Sequence, residues 1–192
     1  MEDITVNLDK LTQAQIADLA TSCLERLEPG RQPLPLFTQL ARHVVTSTVE
    51  VVPLMERNDK IEVLMAKRSD DDLWWPGQWH LPGTVLLPTD AVSHAYDYET
   101  IVARLYTDEF SQSVVKRGDA RVFDVQRRLI PRGSEQTVFA WSLIDLVEGV
   151  DAIEGGELFD AETIHEQLQG QVVVEGHLNT VKLALAEYRN SV

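Results

Sequence analysis

Asp108 and Glu109 are neighbouring carboxylates, and Arg104 precedes Asp108 by one helical turn. Oxygen ligands of this kind suit a hard cation such as Mg²⁺ or Mn²⁺, with waters and substrate phosphates completing the shell. An arginine one turn away can orient the acids by hydrogen bonding. Upstream, Trp79-His80-Leu81-Pro82-Gly83 closes a strand with a turn that exposes backbone, and the Gly83 carbonyl is a further candidate ligand. Asp90 is a third candidate acid for the metal. A cation held there would neutralise a diphosphate and orient the attacking water. Candidate roles follow: Glu109 and Arg104 in catalysis, and Gly83, Asp90, Asp108 and Glu109 at the metal. Arg68 ends a strand near the presumed cleft, where it meets either a phosphate or a surface carboxylate. Trp79 could stack on a base or sugar, or anchor packing. His80 and His94 sit near the motif as candidate bases or as ordinary capping residues. Glu154 and Glu157 lie in a late acidic loop, which is also how a merely solvated loop reads.

The elements that must position these residues are legible as periodicities. Residues 10–28 place Ile16, Leu19, Ala20, Cys23, Leu24 and Leu27 at helical spacing, with Asp9 or Thr12 as cap and Pro29-Gly30 as stop. Leu36, Phe37, Leu40 and Ala41 mark a second short helix. Two β-branched, apolar runs follow, Thr46 to Met55 and Ile61 to Ala66, around the turn Arg57-Asn58-Asp59-Lys60. Short strands are predicted at 79–81 and 85–87, and a helix at 93–110. Further strands fall near 121–130 and 136–146, then a helix at 160–169 and a last helix from His177 to Tyr188. The division expected is an N-terminal helical extension over 1–45 and a domain over 46–192. Mixed strands and helices in this order predict an α+β fold, an α/β/α sandwich with a mixed sheet.

The order of elements and the motif resemble the Nudix hydrolase superfamily over most of residues 46–188. The family's box reads G-x5-E-x7-R-E-U-x-E-E-x-G-U, with U aliphatic, and here it is degenerate. Gly83-Thr84 stands for the leading Gly-Gly pair, and counting from Thr84 brings the first acid to Asp90. The arginine falls at 104 rather than 98, an apparent insertion of six residues, placed at Ala91–Tyr96. Leu105 replaces the glutamate after the arginine, and Ser111 replaces the closing glycine. The Arg-Leu pair is similar to that of the GDP-mannose mannosyl hydrolase branch, which attacks the sugar carbon and uses a histidine base. The resemblance implies a Mg²⁺- or Mn²⁺-dependent hydrolase of a nucleoside diphosphate linked to another moiety, such as a nucleotide sugar, and it implies a catalytic role for Glu157, in the late loop where many members of the family place such a glutamate. Its alternative is a catalytically silent Nudix-like module that binds a nucleotide or a protein.

Composition bounds the rest. The chain has 192 residues and a net charge of −14, from 31 acidic against 17 basic residues. With no cluster of lysine or arginine, nucleic acid is not expected as a partner. The single cysteine, Cys23, precludes an internal disulfide and reads as a buried thiol in a reducing cytoplasm. No signal peptide or membrane-spanning run is visible, so a cytoplasmic protein without membrane contact is expected. The apolar face of the first helix must be covered, either by its own domain or by a second copy, and a homodimer is the expectation.

Overall fold

The computed structural model describes residues 10–28, 32–92, 95–111, 113–150 and 152–191. The chain divides into two compact units, residues 1–31 and 32–192. The short helix expected in the N-terminal extension therefore belongs to the second unit.

In the first unit, helix α1 spans Gln13–Leu24. Thr12 caps it in a capping box with Gln15, satisfying two otherwise orphaned backbone donors. Asp9 and Pro29-Gly30 lie outside the described residues. No residue of α1 is buried, and Cys23 is exposed rather than buried as its apolar neighbours suggested.

The second unit begins with α2 (Leu34–Ala41) and is built on a seven-stranded sheet. Strands β1 (Thr46–Arg57) and β2 (Lys60–Lys67) form a hairpin. Asn58 and Asp59 both take positive φ, 52° and 59°, as the tightest hairpin turns require. β3 (Trp79–His80) pairs with β2, and β4 (Gly83–Val85) pairs with the start of β1. The long strands β7 (Val114–Ile130) and β8 (Gly133–Leu146) form an antiparallel hairpin. β8 also runs parallel to β1, which makes the sheet mixed. β9 (Gly156–Asp160) joins β2 on its other side. This strand lies inside the stretch expected to be an acidic loop and the start of a helix. Only α4 (Ile164–Gln167) is helical there.

Alternation along β1 sends Val49 and Val51 to one face and Val52 and Leu54 to the other, each into its own core cluster. α3 (Tyr98–Phe110) covers the first face through Ile101, Val102, Leu105, Tyr106 and Phe110. α5 (His177–Ser191) covers the second through Val181, Ala184, Leu185 and Tyr188. This is the α+β, α/β/α arrangement expected, and it fixes which residues can meet. α3 starts five residues later than the predicted 93, because Asp97 caps it by accepting from the Glu99 amide at 3.1 Å. Among the described residues, no helix is long and apolar enough to cross a membrane.

Candidate functional site

Asp90 and Arg104, 14 residues apart, meet across a short stem. Ala91–Val92 and Ala95–Tyr96 pair as a two-stranded ladder, β5–β6. Its neck is closed by the Asp97 amide donating to the Asp90 carbonyl at 3.3 Å. Asp90 is thereby brought back beside the helix despite its distance along the chain. Arg104 grips it with two contacts, Nη2 to Oδ2 at 2.8 Å and Nε to Oδ1 at 3.2 Å. The Leu87 amide adds a third bond to Asp90 at 2.8 Å. Asp90 is 5% exposed, and its carboxylate is committed to this clamp. Arg104 also donates to Thr84 Oγ1 at 3.2 Å, fastening the strand after the Gly83 turn to the helix. Asp90→Asn removes the charge from a buried bidentate pair whose arginine is partly solvated. The expected loss is about 2 kcal/mol, read as a lower urea midpoint at unchanged slope.

Arg104 lies 3.7 Å from Asp108, one turn on, and Asp108 is exposed. Glu109 is half-buried beside it. The Glu154–Gly155 loop runs against the end of this helix. Ser111 donates to Glu154 at 3.0 Å, and a Cβ on Gly155 would stand 2.9 Å from the Glu109 carbonyl. Of the two late acids, Glu154 therefore reaches the helix. Glu157 pairs with Met65 on β2 and shares a face with Phe159, which belongs to the cluster under α5. The structure thus places Glu157 on the opposite side of the sheet from Asp108 and Glu109.

Leu105 is 1% exposed, inside the cluster that α3 shares with Val49 and Val51. Among the described residues, no group of three or more His, Cys, Asp and Glu side chains gathers as a metal cage. The residues present do not fit a cation enclosed by protein ligands. They do fit Mg²⁺ or Mn²⁺ held by one or two carboxylates together with substrate phosphates, the usual mode for Mg²⁺.

The turn itself is held from both sides by histidines. His80 Nδ1 contacts the Leu81 carbonyl at 2.7 Å, and the Leu81 amide donates to His177 Nδ1 at 2.8 Å. With Nδ1 accepting, the proton of neutral His177 sits on Nε2, which faces Glu50 at 3.4 Å. Burial above all, with Arg68 nearby, pushes His80 down to about 4. Burial likewise takes His177 to about 3, aided by His80 and Arg128. Both are neutral struts at physiological pH. His94 lies outside the described residues. His177 escaped sequence reasoning, since a histidine opening a late helix carries no local signal of its partner.

Gly83 pairs with Glu50, and a Cβ there would come 2.9 Å from Glu50 Cγ, so the turn needs glycine for this close approach. Burial raises the Glu50 carboxyl, against the opposing pull of Arg128. Trp79 packs edge-on against Phe159 at 5.1 Å and lies beneath Lys67, as a packing residue does. Arg68 pairs with Asp72 at 2.9 Å and stacks on Trp75 at 5.0 Å, with 28% of its side chain exposed.

No protein-family model matches this chain, and no curated protein sequence matches it. Solved structures do. The Nudix domain of Shewanella oneidensis NrtR, solved with ADP ribose, aligns at TM-score 0.56 and 18% identity over 93% of this chain and 99% of its own. This chain has the Nudix fold. A mutT/Nudix family protein from Listeria innocua shares it at TM-score 0.54 and 20% identity, over 76% of this chain and 95% of that one. At these identities the likeness is one of Nudix fold, not of activity. NrtR complexed with a 27mer DNA aligns at TM-score 0.58 and 17% identity over 75% of this chain, which spans 62% of that chain's length. The last match corrects the expectation that nucleic acid is excluded as a partner. Net charge is a whole-chain sum, and binding depends on the local field.

Proposed function

We propose that this chain hydrolyses a nucleoside diphosphate linked to another moiety, with a nucleotide sugar as the first candidate. One observation supports the reading: Arg104 clamps Asp90 and also holds Thr84, so the strand after the Gly83 turn is fastened to α3. Asp108 and Glu109 would hold Mg²⁺ or Mn²⁺, with Gly83 as a backbone ligand and Glu154 the late acid nearest the helix end. The cation would supply charge neutralisation of the diphosphate and an activated water. Arg104 orients the acids, and Arg68, half-buried in its pair with Asp72, is the candidate guanidinium for a ligand phosphate.

A second reading, a silent Nudix-like binding module, is favoured by the burial of Leu105 where the box has a carboxylate. A panel of nucleoside diphosphate derivatives with Mg²⁺ or Mn²⁺, followed by phosphate and sugar release alongside calorimetric binding, separates the two. Release supports the hydrolase. Tight binding with no release selects the silent module, and neither binding nor release rejects both. For the hydrolase, Glu109→Gln is expected to weaken Mn²⁺ affinity in the presence of substrate about tenfold, a loss of about 1.4 kcal/mol. Equal affinity in parent and variant would remove Glu109 from the metal site.

A further inference from the structure

Among the described residues of the second unit, α3 covers only part of its sheet face. Paired residues on adjacent strands point to the same side. Val51, Ala140 and Val122 form one row across β1, β8 and β7. Val49, Val138 and Val125 form the next, and Ser47, Gln136 and Arg127 the one beyond. Leu129, paired with Ser134, follows. Val49, Val51 and Val138 lie in the α3 cluster, which fixes the side. Along β7, however, Val122, Val125 and Leu129 are 46%, 54% and 86% exposed. Branched aliphatics in register on an open sheet face are normally covered by another layer.

The charge of this face is also unusual for the chain. The protein carries 31 acids, yet none of the residues in these rows is acidic. The one charged side chain among them is Arg127, whose Nε donates to neutral Gln136 at 3.3 Å. A solvated surface on a protein of net charge −14 would sample carboxylates, and this one presents apolar groups around a single cation. On the same face, α3 already packs against the beginning of β7 through Val114. A helix laid beside α3 would extend that layer.

We propose that the open end of this sheet face, centred on Val125, Arg127 and Leu129, docks an amphipathic helix of another protein whose apolar stripe is flanked by carboxylates. The stripe covers Val122, Val125 and Leu129, and a flanking carboxylate pairs with Arg127. The surface lies apart from the residues assigned to hydrolysis and does not depend on that assignment.

Two synthetic helical peptides test this, identical in their leucine stripe and flanked by glutamates in one and lysines in the other. Fluorescence anisotropy with the full chain is expected to show the glutamate peptide binding about tenfold tighter than its lysine twin, a difference of about 1.4 kcal/mol. Arg127→Glu is expected to invert that preference. Val125→Asp is expected to abolish binding, and because the position is exposed the variant should melt as the parent does; Val125→Ser serves if it does not. Equal binding of the two peptides, no binding of either, or binding indifferent to Val125 overturns the proposal. So does displacement of the peptide by duplex DNA. A full chain that self-associates until Val125→Asp makes it monomeric would show that a second copy, not a foreign helix, occupies the face, and also overturns it.

Discussion

Leu105→Glu is expected to destabilise the protein severely and to leave its metal affinity no higher. Leu105 is 1% exposed, packed with Val49, Val51, Ile101 and Val102. The substitution removes a buried aliphatic group and puts a carboxylate in its place, among the aliphatic and aromatic side chains of the α3 cluster. Loss of leucine burial costs about 2–5 kcal/mol, and an unpaired buried carboxyl adds several more unless it protonates. The expected result is a melting temperature lower by roughly 10 °C or more, since about 1 kcal/mol moves the midpoint by about 2–4 °C at this size. Leu105→Met, nearly volume-conserving, should change little. If Leu105→Glu instead melts near the parent and binds Mn²⁺ more tightly, this position faces the cation, and the missing acid of the box is a local deficit rather than a core residue.

The second large effect is acid lability well above the pH at which carboxylates titrate. His80 and His177 have folded-state values near 4 and 3, against about 6.5 when unfolded. Between those limits the unfolded chain binds more protons than the folded one, so stability falls as pH falls. From pH 7 to pH 5 each histidine is expected to remove about 2 kcal/mol, roughly 4 together. Glu50 acts in the opposite sense. Its raised value means that the folded state takes up a proton first, which offsets part of the loss. Urea midpoints at the two pH values measure the sum. His177→Gln should flatten the profile by about the share of one histidine, at some cost in stability from disturbing the Leu81 contact. A profile unchanged by His177→Gln would mean that His177 is charged or solvated in the folded protein.

How far the sequence disclosed this arrangement depended on the range of the interaction. The β1–β2 hairpin was legible because alternation and the Asn58-Asp59 turn are local. So were the Thr12 cap and the apolar stripe of α3. Leu105 was legible both as a substitution in the box and, by its helical spacing from Tyr98, Ile101 and Val102, as a residue of the apolar stripe. Asp90 was found by counting from Thr84, yet its partner was not, since the clamp with Arg104 depends on the β5–β6 ladder bringing the two together. β9 was missed because Gly156–Asp160 carries two acids and two apolar residues, a composition that suits a loop until β2 supplies the backbone partners. Glu157 was preferred on the family resemblance, and strand alternation then turned it from the α3 side of the sheet. The Leu81 clamp was invisible because Leu81 and the histidine that accepts from its amide, His177, lie 96 residues apart.

The neck of the β5–β6 hairpin bears on how such chains are to be found and altered. Because the Asp97 amide returns to the Asp90 carbonyl, what lies between them contributes length without changing the two ends. A motif written as a fixed count of residues will pass over any chain that has lengthened here, while one written as an acid and an arginine meeting in space will retrieve it. The same closed neck makes the stretch of sequence between β5 and β6 a natural graft point. An epitope or fluorophore-bearing loop spliced there would be carried on a closed stem, and α3 would not register its size.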